Sequence, residues 1–218
     1  MKLRTSSFAV ALFACSSPPH KQEHPRDHQH QHAHHGAMPH RFENAEAWAK
    51  KFDDPARDAW QEPDRVIGSL ALSPTMMVAD VGAGTGYFAV RLAPLVSQVV
   101  ATDVEADMVR YLEERAKREG LTNIRAVKTP YDDPTLAAAS FDRILVVDVW
   151  HHLGDRRAYA AKLAAALKPD GYVAIVDFKL DAKQGPPPQH RLSPEAVIAD
   201  LASAGSRRAS RSSSRSNT

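Results

Sequence analysis

Between residues 76 and 178, short apolar runs alternate with longer stretches in which apolar positions recur every three or four residues. The runs 76–81, 98–102, 124–128, 141–148 and 172–178 are rich in Val, Ile, Leu, Ala and Phe, and most are nearly uninterrupted. That is the pattern of strands buried on both faces. The intervening 87–95, 106–119 and 156–167 have helical spacing, and Gly120 ends the second of them. Upstream, 42–51 is helical in character. Asp53-Asp54-Pro55 is a helix-start signal, an acidic cap followed by Pro in the first turn, and helices are predicted over 55–61 and 63–72. After the stiff connector Pro186-Pro187-Pro188, Ser193-Pro194-Glu195 opens a last helix reaching residue 204. Strands alternating with helices in this order predict an α/β fold, a Rossmann-like, doubly wound, mainly parallel sheet with five recognisable strands.

The pattern breaks at both ends. Lys2 and Arg4 precede Phe8-Ala9-Val10-Ala11-Leu12-Phe13-Ala14, an apolar run of signal-peptide size. Leu12-Phe13-Ala14-Cys15 resembles the bacterial lipobox, in which the Cys is lipidated, and Cys15 is the single Cys of the chain. Residues 1–15 are therefore expected to act as a signal, with Cys15 tethering the protein to a membrane on the periplasmic side; an unused signal leaves it cytoplasmic. Residues 16–40 carry eight His among Ser, Pro and Gln: His20, His24, His28, His30, His32, His34, His35 and His40. Such a composition cannot build a core and is expected to be a disordered tether. It can chelate divalent metal loosely, but no set of Asp, Glu and Cys fixes a defined metal site. Residues 206–218 hold six Ser and four Arg and are expected to be a disordered tail. The folded domain is thereby assigned to 41–205.

Composition sharpens this division. The 218 residues are 25% charged with a formal net charge of +2. Residues 41–205, however, carry 20 Lys/Arg against 24 Asp/Glu, so the domain is mildly acidic and the basic charge belongs to the ends. A domain without a basic footprint disfavours a nucleic-acid partner. No apolar run approaches the ~20 residues that span a bilayer.

The chemistry concentrates in Asp80-Val81-Gly82-Ala83-Gly84-Thr85-Gly86, at the junction of the first predicted strand and its helix. Glycines there allow a tight turn and close approach of a ligand to the main chain. The spacing is Gly-x-Gly-x-Gly, not the Gly-x-Gly-x-x-Gly of dinucleotide binders, and no Lys-Ser/Thr follows as in a phosphate loop. An acid just before the glycines suits a ligand bearing ammonium and sulfonium better than an anionic pyrophosphate. One β-α unit later Asp103 ends the second strand, where a carboxylate can accept hydrogen bonds from both hydroxyls of a ribose. In a parallel sheet these loops meet at one edge.

With these residues the chain resembles the class I S-adenosylmethionine-dependent methyltransferases over about residues 60–205. It is most similar to the small-molecule branch that includes the ubiquinone/menaquinone C-methyltransferases. Further matches are Thr102-Asp103 with Met108, Asp132-Asp133 after the third strand, and Leu167-Lys168-Pro169-Asp170-Gly171 before the fifth. The resemblance implies S-adenosylmethionine as cofactor and a small-molecule methyl acceptor. It implies that Gly82, Ala83, Gly84 and Gly86 cradle the cofactor, that Asp80 orients its amine directly or through water, and that Asp103 holds the ribose. Met108 would pack on adenine, and Asp132 or Asp133, preferably Asp132, would meet the adenine amine. Asp148-Val149-Trp150-His151-His152 follows the fourth strand, where the family places acceptor-facing residues. Asp148 can orient the acceptor, and His151 or His152 can take a proton from it. The helices before the sheet serve such enzymes as a lid; Trp60 can shield the sulfonium, and Trp48 and Phe52 can line the acceptor pocket. Packing against the sheet explains these aromatics equally well.

The chain departs from the family after residue 205. The two further strands expected there, an antiparallel hairpin, cannot come from an Arg/Ser tail. A truncation or frameshift is expected, with the strand over 172–178 left as an unpaired edge. Two other functions compete with methyl transfer. One is a non-catalytic, membrane-tethered relative whose His tract binds metal. The other, a nicotinamide-dependent oxidoreductase, is disfavoured by the glycine spacing and by Asp80.

Overall fold

The computed structural model describes residues 9–12, 44–183, 185–204 and 211–213. Cys15, the His tract and most of the Arg/Ser tail lie outside the described residues. The central strands are β2 (Met77–Val81), β3 (Gln98–Asp103), β4 (Ile124–Lys128), β5 (Phe141–Val147) and β6 (Leu167–Val176). They are the five that the sequence predicts. Two short strands, β1 (Ala9–Leu12) and β7 (Arg211–Ser213), join them. The sheet runs β4-β3-β2-β5-β6-β1-β7, and every pairing is parallel. Strand order reverses between β2 and β5, the place where an open α/β sheet opens a crevice at its carboxyl edge.

Alternate residues of each strand feed two cores. Ala79, Val81, Ile144, Val146, Val173 and Ile175 pack with α6 (Arg156–Ala166) and α7 (Pro194–Ala202). Val78, Val99, Leu145, Val147 and Ala174 pack on the other side with α3 (Pro63–Ser69), α4 (Ala89–Leu92) and α5 (Ala106–Arg118). Both faces are dry, which is why the strands read as continuous apolar runs. Ahead of α3 lie α1 (Ala45–Phe52), a 3-10 turn (Pro55–Arg57) and α2 (Asp58–Gln61).

Several boundaries differ from the sequence expectation for physical reasons. The helix predicted over 87–95 is a four-residue α4 followed by a 3-10 turn containing Pro94, which cannot donate to the helix ladder. The helix predicted over 55–61 splits into the 3-10 turn and α2. Strand β5 stops at Val147 because Asp148 turns to φ +57. Strand β6 starts at Leu167, five residues earlier than expected, through a register irregularity opposite Phe141 and Arg143. Gly171 sits in that irregularity, where a Cβ would lie 2.7 Å from the Phe141 carbonyl oxygen.

The expectation of an unpaired edge at 172–178 is overturned. Ala9 and Val10 of β1 pair with Ala174 and Ile175 of β6. Residues 10–12 in turn pair with β7, so the tail does contribute a strand, in parallel sense instead of as a hairpin. That edge is covered by two segments from the two ends of the chain.

Candidate functional site

Four carboxylates end four parallel strands: Asp80 in β2, Asp103 in β3, Asp148 just after β5 and Asp177 just after β6. The first two define the glycine turn. Gly82 and Ala83 donate their N–H groups to the Thr102 carbonyl at 2.8 and 2.9 Å, which ties the turn to the end of β3. Gly84 N–H donates to Asp103 Oδ2 at 2.8 Å, and Glu105 N–H donates to Asp103 Oδ1 at 2.9 Å. Asp103 is thereby fixed in place. Burial raises its carboxyl, and the two main-chain donors oppose that rise.

Asp80 is 2% exposed, and its Oδ2 has no hydrogen-bond partner among the described residues. Burial, and then the charge of Asp103, push its carboxyl up to about 7; the Ala89 N–H and the Arg57 charge pull the other way. Two acids on neighbouring strand ends therefore sense one another's charge. Gly82 (φ +72) needs glycine twice over, since a Cβ would also lie 2.2 Å from Val149 Cγ2. At Gly84 (φ +55) a Cβ would point at the Phe52 ring, 3.6 Å away, so α1 covers the turn.

Met108 is buried in α5, the helix that follows β3. Asp133 is committed elsewhere: Thr135 N–H donates to it at 2.7 Å and Lys162 pairs with it at 3.0 Å, holding its carboxyl below the usual range. Asp132 accepts from Lys162 Nζ through its main-chain oxygen at 2.6 Å, while its side chain is exposed. Of the two, Asp132 keeps the freer carboxylate.

The other half of the cleft follows β5. Asp148 holds its left-handed backbone by donating its N–H to Val176 O at 2.9 Å. Its carboxyl, pushed up by burial to about 7, is opposed mainly by Arg57, whose Nη2 stands 3.5 Å from Asp148 Oδ2. His151 is buried, and its Nδ1–H donates to Asp177 Oδ1 at 2.7 Å, leaving Nε2 as the nitrogen able to take a proton. His152 packs on His151 with tilted rings, their centres 4.1 Å apart. Phe178 meets His151 edge-on at 6.3 Å and stacks on Trp60 at 6.2 Å. Trp48 packs on Phe52 at 5.3 Å.

Two residues of this cluster escaped the sequence reading. Asp177 carries the same signal as the other three acids, a carboxylate at the end of a buried strand. Arg57 carries none, because only the 3-10 turn brings it under the cleft. There its guanidinium lies 4.1 Å from the Tyr87 ring centre and 5.6 Å from that of Trp60.

A parallel sheet with a glycine turn and two acids at its switch point defines a nucleoside-binding α/β enzyme. Residues 78–171 match the methyltransferase-domain family. A solved SAM-dependent methyltransferase from Aquifex aeolicus has the same fold with a TM-score of 0.68 at 32% identity, covering 73% of this chain and 87% of that one. The chain belongs to the SAM-dependent methyltransferases. Among curated relatives, the uncharacterized methyltransferase YcgJ of Bacillus subtilis is 31% identical over 100 residues, 46% of this chain and 40% of its own length. The 27-O-demethylrifamycin SV methyltransferase of Amycolatopsis mediterranei is 30% identical over 128 residues, 54% of this chain and 44% of its own. The chain thus spans less than half the length of these two curated relatives.

The residues present fit S-adenosylmethionine. Among the described residues an orphaned buried carboxylate oxygen on Asp80 awaits a cation, and Gly84, at φ +55, keeps the turn free of a side chain. Asp103 is held on a strand end beside it.

Proposed function

We propose that this chain transfers a methyl group from S-adenosylmethionine to a small-molecule acceptor. The cofactor supplies an electrophilic methyl on a sulfonium. The observation that carries the reading is the pairing of Asp80 with Asp103 around one glycine turn, with Asp80 buried and its Oδ2 unpartnered among the described residues. Gly82, Ala83, Gly84 and Gly86 line the seat, Asp103 takes the ribose, and Met108 and Asp132 take the adenine side. On the acceptor side, Asp148 orients the acceptor. His151, oriented by Asp177, takes its proton where the nucleophile needs activation. The lid helices exclude water and align the acceptor for in-line attack. A small-molecule acceptor is supported by the rifamycin methyltransferase among the relatives. Kinship with the ubiquinone/menaquinone C-methyltransferases rests on the sequence matches at Asp80 to Gly86 and Leu167 to Gly171.

Calorimetry with S-adenosylmethionine tests the seat. The unaltered chain should bind, and Asp103→Ala should weaken binding by about 1–3 kcal/mol, the size of a lost charge-assisted hydrogen bond. Equal affinity of the two proteins would remove the assignment.

A further inference from the structure

His151 is closed off in this structure, its side chain only 3% exposed. His152 packs on one side of it, and Phe178 meets it edge-on with ring centres 6.3 Å apart. Phe178 also faces the Trp60 ring of α2, with centres 6.2 Å apart and planes tilted by 28°. Phe178 thus joins the base to the lid. It is backed by main chain: at Gly185 (φ +100) a Cβ would lie 2.4 Å from Phe178 Cδ1. Arg191 holds that stretch by donating to the carbonyls of Leu180, Ala182 and Pro186 at 3.0, 2.6 and 2.8 Å. Trp60, expected from the sequence over the sulfonium, therefore lies against a residue that follows β6.

The acids on this side are already balanced. Asp177 accepts from His151 Nδ1 at 2.7 Å, from the His151 N–H at 3.2 Å and from the Phe178 N–H at 2.8 Å. Asp148 has the Arg57 guanidinium at 3.5 Å. Neither carboxylate is left over for an ammonium, and Arg57, 5.6 Å from the Trp60 ring centre, would repel one. What remains is a basic ring nitrogen, His151 Nε2, beside two aromatic rings. That combination fits a neutral, flat molecule with an acidic hydroxyl. A ring held between two others needs about 7 Å between them, two contacts of ~3.5 Å, so Trp60 and Phe178 have only to part slightly to admit it.

Resting on the methyltransferase reading, we infer that Trp60 and Phe178 are the two leaves of an aromatic slot for a flat acceptor, a conjugated ring whose hydroxyl oxygen is methylated. The slot opens over His151. Nε2 takes the hydroxyl proton as the oxygen bonds to the methyl carbon; the methyl–sulfur bond breaks, and its electron pair stays on sulfur. The positive charge lost from the sulfonium reappears on the imidazolium, which Asp177 stabilises.

The test measures methyl transfer from S-adenosylmethionine by the full chain to three probes of similar size: 2-naphthol, decahydro-2-naphthol and 2-(aminomethyl)naphthalene. The first is flat and neutral, the second is not flat, and the third is flat and cationic. 2-Naphthol should be methylated on oxygen, with kcat/KM at least ~10-fold above either of the others. Phe178→Leu and Trp60→Leu should each raise its KM about tenfold, the size of a lost aromatic contact, with kcat little changed. Phe178→Tyr should keep the original KM. Calorimetry should show unchanged S-adenosylmethionine affinity in all three variants, which also reports an intact fold. Either other probe turned over as well as 2-naphthol, or no probe methylated by a chain that binds S-adenosylmethionine, overturns the slot. So does Trp60→Leu weakening S-adenosylmethionine, which would place that ring on the sulfonium. If the unaltered chain does not bind S-adenosylmethionine, the methyltransferase reading falls, and the slot with it.

Discussion

Asp80 is the residue whose chemistry is most exposed to pH. Its carboxyl titrates near 7 because burial and Asp103 favour the neutral form. A protonated Asp80 cannot hold an ammonium. Affinity for S-adenosylhomocysteine should therefore be flat above pH 7 and fall about tenfold per unit below it. Stability runs the opposite way. The folded state binds a proton that the unfolded chain has released, so Asp80 costs stability as pH rises from the ordinary carboxylate range to about 7. Asp80→Asn should then raise the melting temperature at pH 8, change it little at pH 4, and abolish nucleoside binding. Thermal unfolding at the two pH values checks this; equal shifts at both would show that Asp80 is not held neutral by its surroundings. The seat thus gives up folding stability for an unsatisfied acceptor that only a cationic ligand completes.

The lid elements are held to the body by ionic contacts. Asp58 of α2 accepts from the Tyr87 hydroxyl and from Arg91 at 3.0 Å. Asp53 pairs with Arg115 at 2.8 Å, and Glu46 with Arg110 at 2.7 Å. The Glu46 and Asp58 pairs are exposed enough for solvent to screen them and hold the lid only weakly, while Asp53–Arg115 is more buried. Asp58→Ala should speed hydrogen exchange in α1 and α2 and hasten S-adenosylhomocysteine association, with little change in global melting. Unchanged exchange would mean that apolar packing, not these pairs, holds the lid. The strands beneath were legible because two dry faces leave no room for polar alternation. The lid was legible as helix but not as chemistry. Pro55 marks the start of a turn, yet nothing in the local pattern says that Arg57 bends back over Tyr87 and meets Asp148. Asp177 was within reach of the rule that found Asp80, Asp103 and Asp148, a carboxylate at the end of a buried parallel strand. His151 lies next to Asp148 in the sequence, whereas its partner Asp177 lies 26 residues further along the chain.

At the scale of the whole molecule, the cofactor half of the sheet is built from residues close in sequence, and the β6 side is closed by the two ends of the chain. A short apolar run such as Ala9-Val10-Ala11-Leu12 satisfies a signal segment and a parallel strand equally well, because both ask only for small and aliphatic side chains. Sequence pattern alone could not choose between them; the pairing of Ala9 and Val10 with Ala174 and Ile175 is a long-range event. The two roles also exclude each other. Cleavage before Cys15 would remove residues 1–14 and β1 with them, opening the hydrogen-bonding edge of β6. A bare edge is a template for association. A chain beginning at residue 41 should therefore melt at a lower temperature than the full chain and self-associate more readily, while binding S-adenosylhomocysteine with similar affinity, since Asp80 and Asp103 lie on the far side of β5 from that edge. Scanning calorimetry and light scattering on the two chains decide it. Identical melting and a monodisperse short chain would mean that β1 adds nothing to the fold and that the segment is free to serve as a signal.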